Sequence, residues 1–216
     1  MPYPLTRLIY GVAHSDVRPV TYVDENGNKK SFKWYQTWKS MIRRCYDPKA
    51  LQRNPTYIGC SVCDEWLYAS NFKKWYDEQG DVDDLCLDKD LLFENNKIYS
   101  PETCVFLTHE MNLQLVKVER SKDRGDCPVG VTYFPSYKYK KYVVHLSMKN
   151  KRKTVGYYHT TEEAHQAYIE EKAKYLKTFF PVIDNMNITD EMKLKIKNGF
   201  LTFIDGRLQK LNNLYN

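Results

Sequence analysis

The chain has 216 residues, enough for one or two compact domains, and its 42% apolar residues can bury a core. Thirty-three Lys and Arg against 27 Asp and Glu leave a formal net charge of +6, so where the charge lies matters more than its sum. No apolar run approaches the roughly 18 residues of a membrane span, and MPYPLTRLIYG lacks an apolar signal-peptide core, which predicts a protein without a membrane partner, kept in a cytoplasm with its six cysteines as thiols.

Residues 1–30 are mixed and polar, and Asp24-Glu25-Asn26-Gly27-Asn28 predicts the turn of a hairpin. Trp34, Trp38, Met41, Ile42 and Cys45 recur at helical spacing and predict a helix over 33–46, stopped by Asp47-Pro48. A loop through Asn54-Pro55 leads to Tyr57-Ile58-Gly59-Cys60, and Val62, Trp66, Phe72 and Trp75 mark a second packed region, helical over 64–78. Short strands are expected at 85–88 and 103–107, joined by a polar loop over 89–102. Thr108 is a suitable N-cap for a helix to about 118.

The charged segment 119–127 reads as a linker. Strands follow near 129–134, 141–148 and 154–158. In the middle one Tyr142, Val144, Leu146 and Met148 face one way, and Lys141, Val143, His145, Ser147 and Lys149 the other. Thr160-x-x-Glu163 fits a capping box, opening a helix with Ala164, Ala167, Tyr168, Ile169 and Tyr175 on its apolar face. Residues 181–216 predict one or two short helices.

Charge concentrates between 117 and 153, where eleven Lys and Arg stand against three acids. A local positive block of this size suits a polyanion, although solvated lysine-rich loops have the same composition. Chemistry concentrates at 85–118. Asp88 ends the first strand of that segment, and Asn112 lies on the helix five residues past Leu107. A strand-end carboxylate and a helix amide can share one divalent ion, which stabilises charge on a phosphodiester during hydrolysis.

The run Trp38-Lys39-Ser40-Met41-Ile42-Arg43-Arg44-Cys45-Tyr46, then Tyr57-Ile58-Gly59-Cys60-Ser61-Val62-Cys63-Asp64-Glu65-Trp66 and Phe72, resembles phage-type HNH homing endonucleases. Leu87-Asp88-Lys89-Asp90, Tyr99-Ser100-Pro101-Glu102-Thr103-Cys104-Val105-Phe106 and Asn112 complete the resemblance, over about 34–116. It implies a ββα-metal core, with Asp88 and Asn112 on one divalent ion, Mg²⁺ by expectation, and Arg43 and Arg44 helping to hold duplex DNA. Two positions depart from the pattern: Lys89 stands where the family places its histidine base, and Thr103 where an Asn braces the loop. Lysine is a poor base near neutral pH, so Lys89 is expected at the phosphate as a point charge. His109, one turn before Asn112, is the nearest spare imidazole; it is a candidate base or a solvated side chain. Cys60-x-x-Cys63 is half a zinc motif without a second half, so zinc is not expected.

Pro128-Val129-Gly130-Val131, Val155-Gly156-Tyr157-Tyr158 and Thr160 to Tyr168 resemble the plant APETALA/ethylene-response DNA-binding domain. That resemblance implies a three-stranded sheet on one helix, with the sheet in the major groove and Arg152 and Tyr168 at contact positions. Thr132, Phe134, Ser147 and Thr154 replace the family's other arginines and tryptophans, which implies backbone-dominated binding with weak sequence choice. Lys138, Lys140, Lys141, His145, Lys149 and Lys153 are the other expected DNA contacts.

The expected organisation is an α+β chain: an HNH-like nuclease domain with flanking helices over 1–118, a linker over 119–127, a sheet-and-helix DNA-binding domain over 128–180, and a helical tail over 181–216. The expected activity is metal-dependent DNA hydrolysis. Two rivals remain: DNA binding on a catalytically inactive scaffold, and a protein partner engaged through tyrosines and the tail.

Overall fold

The computed structural model describes residues 8–115, 127–149 and 151–215, with side chains through Gly206. It is a mixed α+β structure that divides into two compact units, Met1–Thr108 with Asn187–Lys195, and His109–Met186 with Ile196–Asn216. The division falls at Thr108, ahead of the expected linker, of which residues 119–126 lie outside the described ones. Lys117, Arg120, Lys122 and Arg124 of the basic stretch lie outside them too.

The first unit opens with the expected hairpin, β1 (Thr21–Val23) and β2 (Lys29–Ser31). Asp24 holds its turn by accepting the amides of Asn26 and Asn28 on Oδ1. Helix α1 (Lys33–Tyr46) buries the five residues its periodicity marks, and Asp47 ends it while capping a short helix, α2 (Pro48–Arg53). The packed region after it is not one helix. A 3-10 turn (Asp64–Leu67) and α3 (Ala69–Asp77) are separated by Tyr68, whose backbone is extended. Backbone pairing with His14 causes the break: His14 donates to Leu67 O and Ala69 donates to His14 O, while the Tyr68 and His14 rings stack at 4.6 Å.

Strands β4 (Cys86–Asp88) and β6 (Val105–Leu107) form an antiparallel pair with Asp88 opposite Val105. Between them β5 (Ile98–Tyr99) pairs in parallel with β3 (Ser61–Val62), inside a stretch expected to be loop; two residues are too few to leave a period. The core of this unit is aromatic. Trp66 meets Phe72 edge-on at 5.0 Å, Phe106 of β6 packs on Trp75 and Tyr76 at 5.3 Å, and Trp38 donates its indole N–H to Trp66 O.

In the second unit α4 (His109–Leu115) directly follows β6 in sequence, separated only by Thr108. Its three-stranded antiparallel sheet runs β7 (Val131–Tyr133), β8 (Tyr142–Met148), β9 (Lys151–Tyr158), against α5 (Thr161–Lys177). The expected cap forms: Thr160 Oγ1 accepts from the Glu163 amide, while the Glu163 carboxylate accepts the amide of His159, one residue ahead of the cap. Strand β9 starts at Lys151, three residues earlier than expected, and carries a bulge at Val155, between the partners of Val144 and His145. The short helix α6 (Phe180–Asp184) follows.

The tail, expected as one or two short helices, holds one short helix, α6, and one long one: α7 (Asp190–Tyr215) runs 26 residues and the unit boundary falls within it. Met192, Ile196, Phe200 and Ile204 are buried at steps of four, with no proline to interrupt them. Among the described residues no helix is long and apolar enough to cross a membrane.

Candidate nucleic-acid interface and the β4–β6 hairpin

The β4–β6 hairpin places Asp88 at the end of its first strand, 7% exposed. Its Oδ1 accepts the amides of Asp90 and Leu91 at 2.9 and 2.8 Å, so the carboxylate organises the turn that follows. Burial pushes its pKa above the usual carboxylate value, against the pull of the Leu91 amide. Lys89, expected to offer its charge to phosphate, is 5% exposed. Its ammonium donates to Asp90 Oδ1 at 2.6 Å and to Asn96 O at 3.0 Å, and lies 5.7 Å from the Tyr99 ring centre. Asn96 returns the link by donating to the carbonyls of Lys89 and Ile98. Thr103 braces the same loop, accepting the Ser100 amide and donating to Ile98 O. Lys89 and Thr103, the two departures from the nuclease pattern, therefore both serve to fasten this loop.

Asp88 and Lys89 belong to the first unit; His109, exposed, and Asn112, half-buried, belong to the second. Among the described residues no three His, Cys, Asp or Glu side chains gather as a metal site. A hard divalent cation needs several oxygen ligands. Within the first unit the hairpin offers the Asp88 carboxylate with one oxygen already bound by two amides, while the Asp90 carboxylate is bound to Lys89. These residues do not by themselves fit a divalent ion. Burial raises the Cys45 and Cys104 thiols to about 12 and Cys63 to about 11, which disfavours thiolates.

The sheet of the second unit has two unlike faces. Side chains of directly paired residues share a face, so Val131, Val144 and Gly156 lie on one and Thr132, Val143 and Tyr157 on the other. The first face meets α5. Gly130, at φ +85°, brings backbone so close to Tyr168 that a Cβ there would sit 2.1 Å from its ring. Tyr168, expected at DNA, is 7% exposed and serves this packing instead. Lys153 is also on this side, its ammonium 3.0 Å from Glu171 of α5.

The opposite face carries Thr132, His145, Ser147, Arg152, Thr154 and Tyr157. The His145 Nδ1 and Thr154 Oγ1 are 3.3 Å apart. Burial, then the charge of nearby Arg152, holds the His145 imidazole below its usual pKa. Lys138, Lys140 and Lys149 are exposed around this face and Lys141 is half-buried, whereas Lys151, paired with Met148, falls on the α5 side. From Pro128 to Tyr158 the sequence contains no Asp or Glu.

Of the expected arginines on α1, Arg43 is exposed, whereas Arg44 is half-buried with its guanidinium 5.7 Å from the Tyr57 ring centre. Sequence reasoning missed Glu110, whose Oε1 accepts from the Tyr175 hydroxyl, the Lys149 amide and Gln114. It also missed Tyr137 and Tyr157 as members of the open face; the alternation Tyr137-Lys138-Tyr139-Lys140 was the signal for Tyr137. Comparison with protein-family models, curated proteins and solved structures finds no match to this chain.

Proposed function

We propose that the chain binds duplex DNA through the open face of the β7–β8–β9 sheet. The observation that carries this reading is a sheet face bearing Arg152 and His145, rimmed by lysines, in a stretch without one acidic residue. An antiparallel sheet fits the major groove, where Arg reads guanine and Lys neutralises phosphate. Thr132, Ser147 and Thr154 offer only hydroxyls on that face, so phosphate contacts dominate and sequence choice is weak. Full-length protein should shift labelled duplex with an affinity that falls linearly on a log–log plot against salt. Failure to bind duplex at low salt would sink the reading.

A second reading, a ββα-type endonuclease, is favoured by the antiparallel β4–β6 hairpin with Asp88 at its strand end, followed in sequence by α4. Supercoiled plasmid incubated with Mg²⁺ or Mn²⁺, with and without chelator, tests it. Chelator-sensitive cutting abolished by Asp88→Ala supports it, and intact plasmid with undiminished binding leaves DNA binding alone.

A further inference from the structure

The open face does not end in charge. Tyr157 lies on it, paired with Val143, and is 50% exposed. Its ring centre is 6.0 Å from that of Tyr137, and Tyr137 stacks on Phe134 at 5.1 Å with planes 15° apart. Three rings thus form a short ladder beside β9. The β7–β8 connection that carries Phe134 and Tyr137 is closed by the Phe134 amide donating to Lys141 O. It also bears Tyr139, 71% exposed, with the Lys138 ammonium 5.3 Å from its ring centre.

A fully paired duplex presents phosphates and base edges, while its base faces are stacked on one another. Arginine and lysine answer those features; exposed tyrosine faces do not. An unpaired base offers its face, and stacking on an aromatic side chain is tolerant of sequence. The alternation Tyr137-Lys138-Tyr139-Lys140-Lys141 sets cations for the backbone beside rings for the bases.

We infer that Tyr137 and Tyr157 stack unpaired bases, so that the proposed DNA face takes locally opened or single-stranded DNA in preference to fully paired duplex. This rests on the DNA-binding reading above and narrows its substrate. The negative backbone matches the acid-free surroundings, and the same Arg152 serves both forms of DNA.

The test is fluorescence anisotropy on full-length protein with three labelled DNAs of one sequence: a perfect duplex, the duplex with a few central mismatches, and the single strand. The wild type should bind the mismatched duplex and the single strand more tightly than the perfect duplex. Tyr137→Ala with Tyr157→Ala should cut those two affinities by about 10- to 100-fold and perfect-duplex affinity by a distinctly smaller factor. Tyr137→Phe with Tyr157→Phe keeps the rings and should keep the preference. Arg152→Ala should weaken all three. Equal affinity for perfect and mismatched duplex, or equal losses in the alanine variant, overturns the stacking inference and leaves duplex binding standing. Tighter binding of an RNA strand than of the same DNA strand overturns the assignment to DNA. No binding to any probe overturns both readings.

Discussion

Glu110→Ala tests how the basic hairpin is held. Glu110 Oε1 accepts from the Tyr175 hydroxyl at 2.6 Å, the Lys149 amide at 3.0 Å and Gln114 Nε2 at 3.1 Å. Lys149 follows β8, so this carboxylate pins the end of the strand that carries His145. A hydrogen bond to a charged acceptor contributes about 1.5–3 kcal/mol, and a more exposed amide about 1 kcal/mol or less. Removing the acceptor strands the buried Tyr175 hydroxyl, so Glu110→Ala should cost about 2–4 kcal/mol. Glu110→Gln keeps an oxygen and should lose about half of that, and Tyr175→Phe about 1–2 kcal/mol. The double variant should show coupling of about 1–2 kcal/mol, because the two share one bond. The Tyr175 hydroxyl, assisted by the Lys149 amide, holds the Glu110 carboxyl below its usual value. The stabilisation is therefore complete above the ordinary Glu value of about 4.3 and is lost as pH falls through the lowered one. Urea unfolding by circular dichroism and hydrogen exchange at the Lys149 amide measure these effects. A loss within about 0.5 kcal/mol, with Lys149 exchange unchanged, would refute the reasoning.

Gly130→Ala combines positive φ with a clash on the Tyr168 ring and should cost about 2–5 kcal/mol, read by urea unfolding, with partial recovery on adding Tyr168→Leu. An unaffected unfolding midpoint contradicts that packing. Asp88→Ala should lie about 1–3 kcal/mol below Asp88→Asn, because Asn keeps an acceptor for the Asp90 and Leu91 amides. Tryptophan fluorescence in chelator follows this, all four Trp being in the first unit, and equal stability of the two variants contradicts it. His145, held low by burial and Arg152, is neutral near pH 7; nearby phosphate favours its protonated form, so duplex affinity should rise as pH falls toward about 6. His145→Gln should flatten that rise, and an unchanged pH profile would assign it elsewhere.

What was legible in the sequence was whatever repeats. The α1 stripe of Trp34, Trp38, Met41, Ile42 and Cys45, the β8 alternation and the Thr160 cap all announce themselves by spacing. Two-residue strands such as β3 and β5 leave no period, and Tyr68 interrupts a helical pattern through pairing with distant His14. The candidate residues split along the same line. His145 could be placed on its face by counting along β8, whereas Arg152 lay outside the strand expected at 154–158 and reaches the same face only past the β9 bulge. The fate of Tyr168 depended on Gly130, 38 positions earlier, and that of Lys89 on the Asn96 carbonyl and the Tyr99 ring, which spacing alone does not reveal. A lysine or tyrosine at a contact position in sequence still has to be free of its own fold.

The salt dependence of duplex binding tests the central claim most directly. Wild type and a variant combining Lys140→Ala, Lys141→Ala and Arg152→Ala would be titrated against one labelled duplex across a salt series. Each lost phosphate contact should reduce the slope of log K against log salt by about 0.9, so the triple variant should lose about two to three units of slope and bind more weakly at every salt concentration. An identical slope and affinity in the two proteins would place the DNA, if bound at all, on another surface.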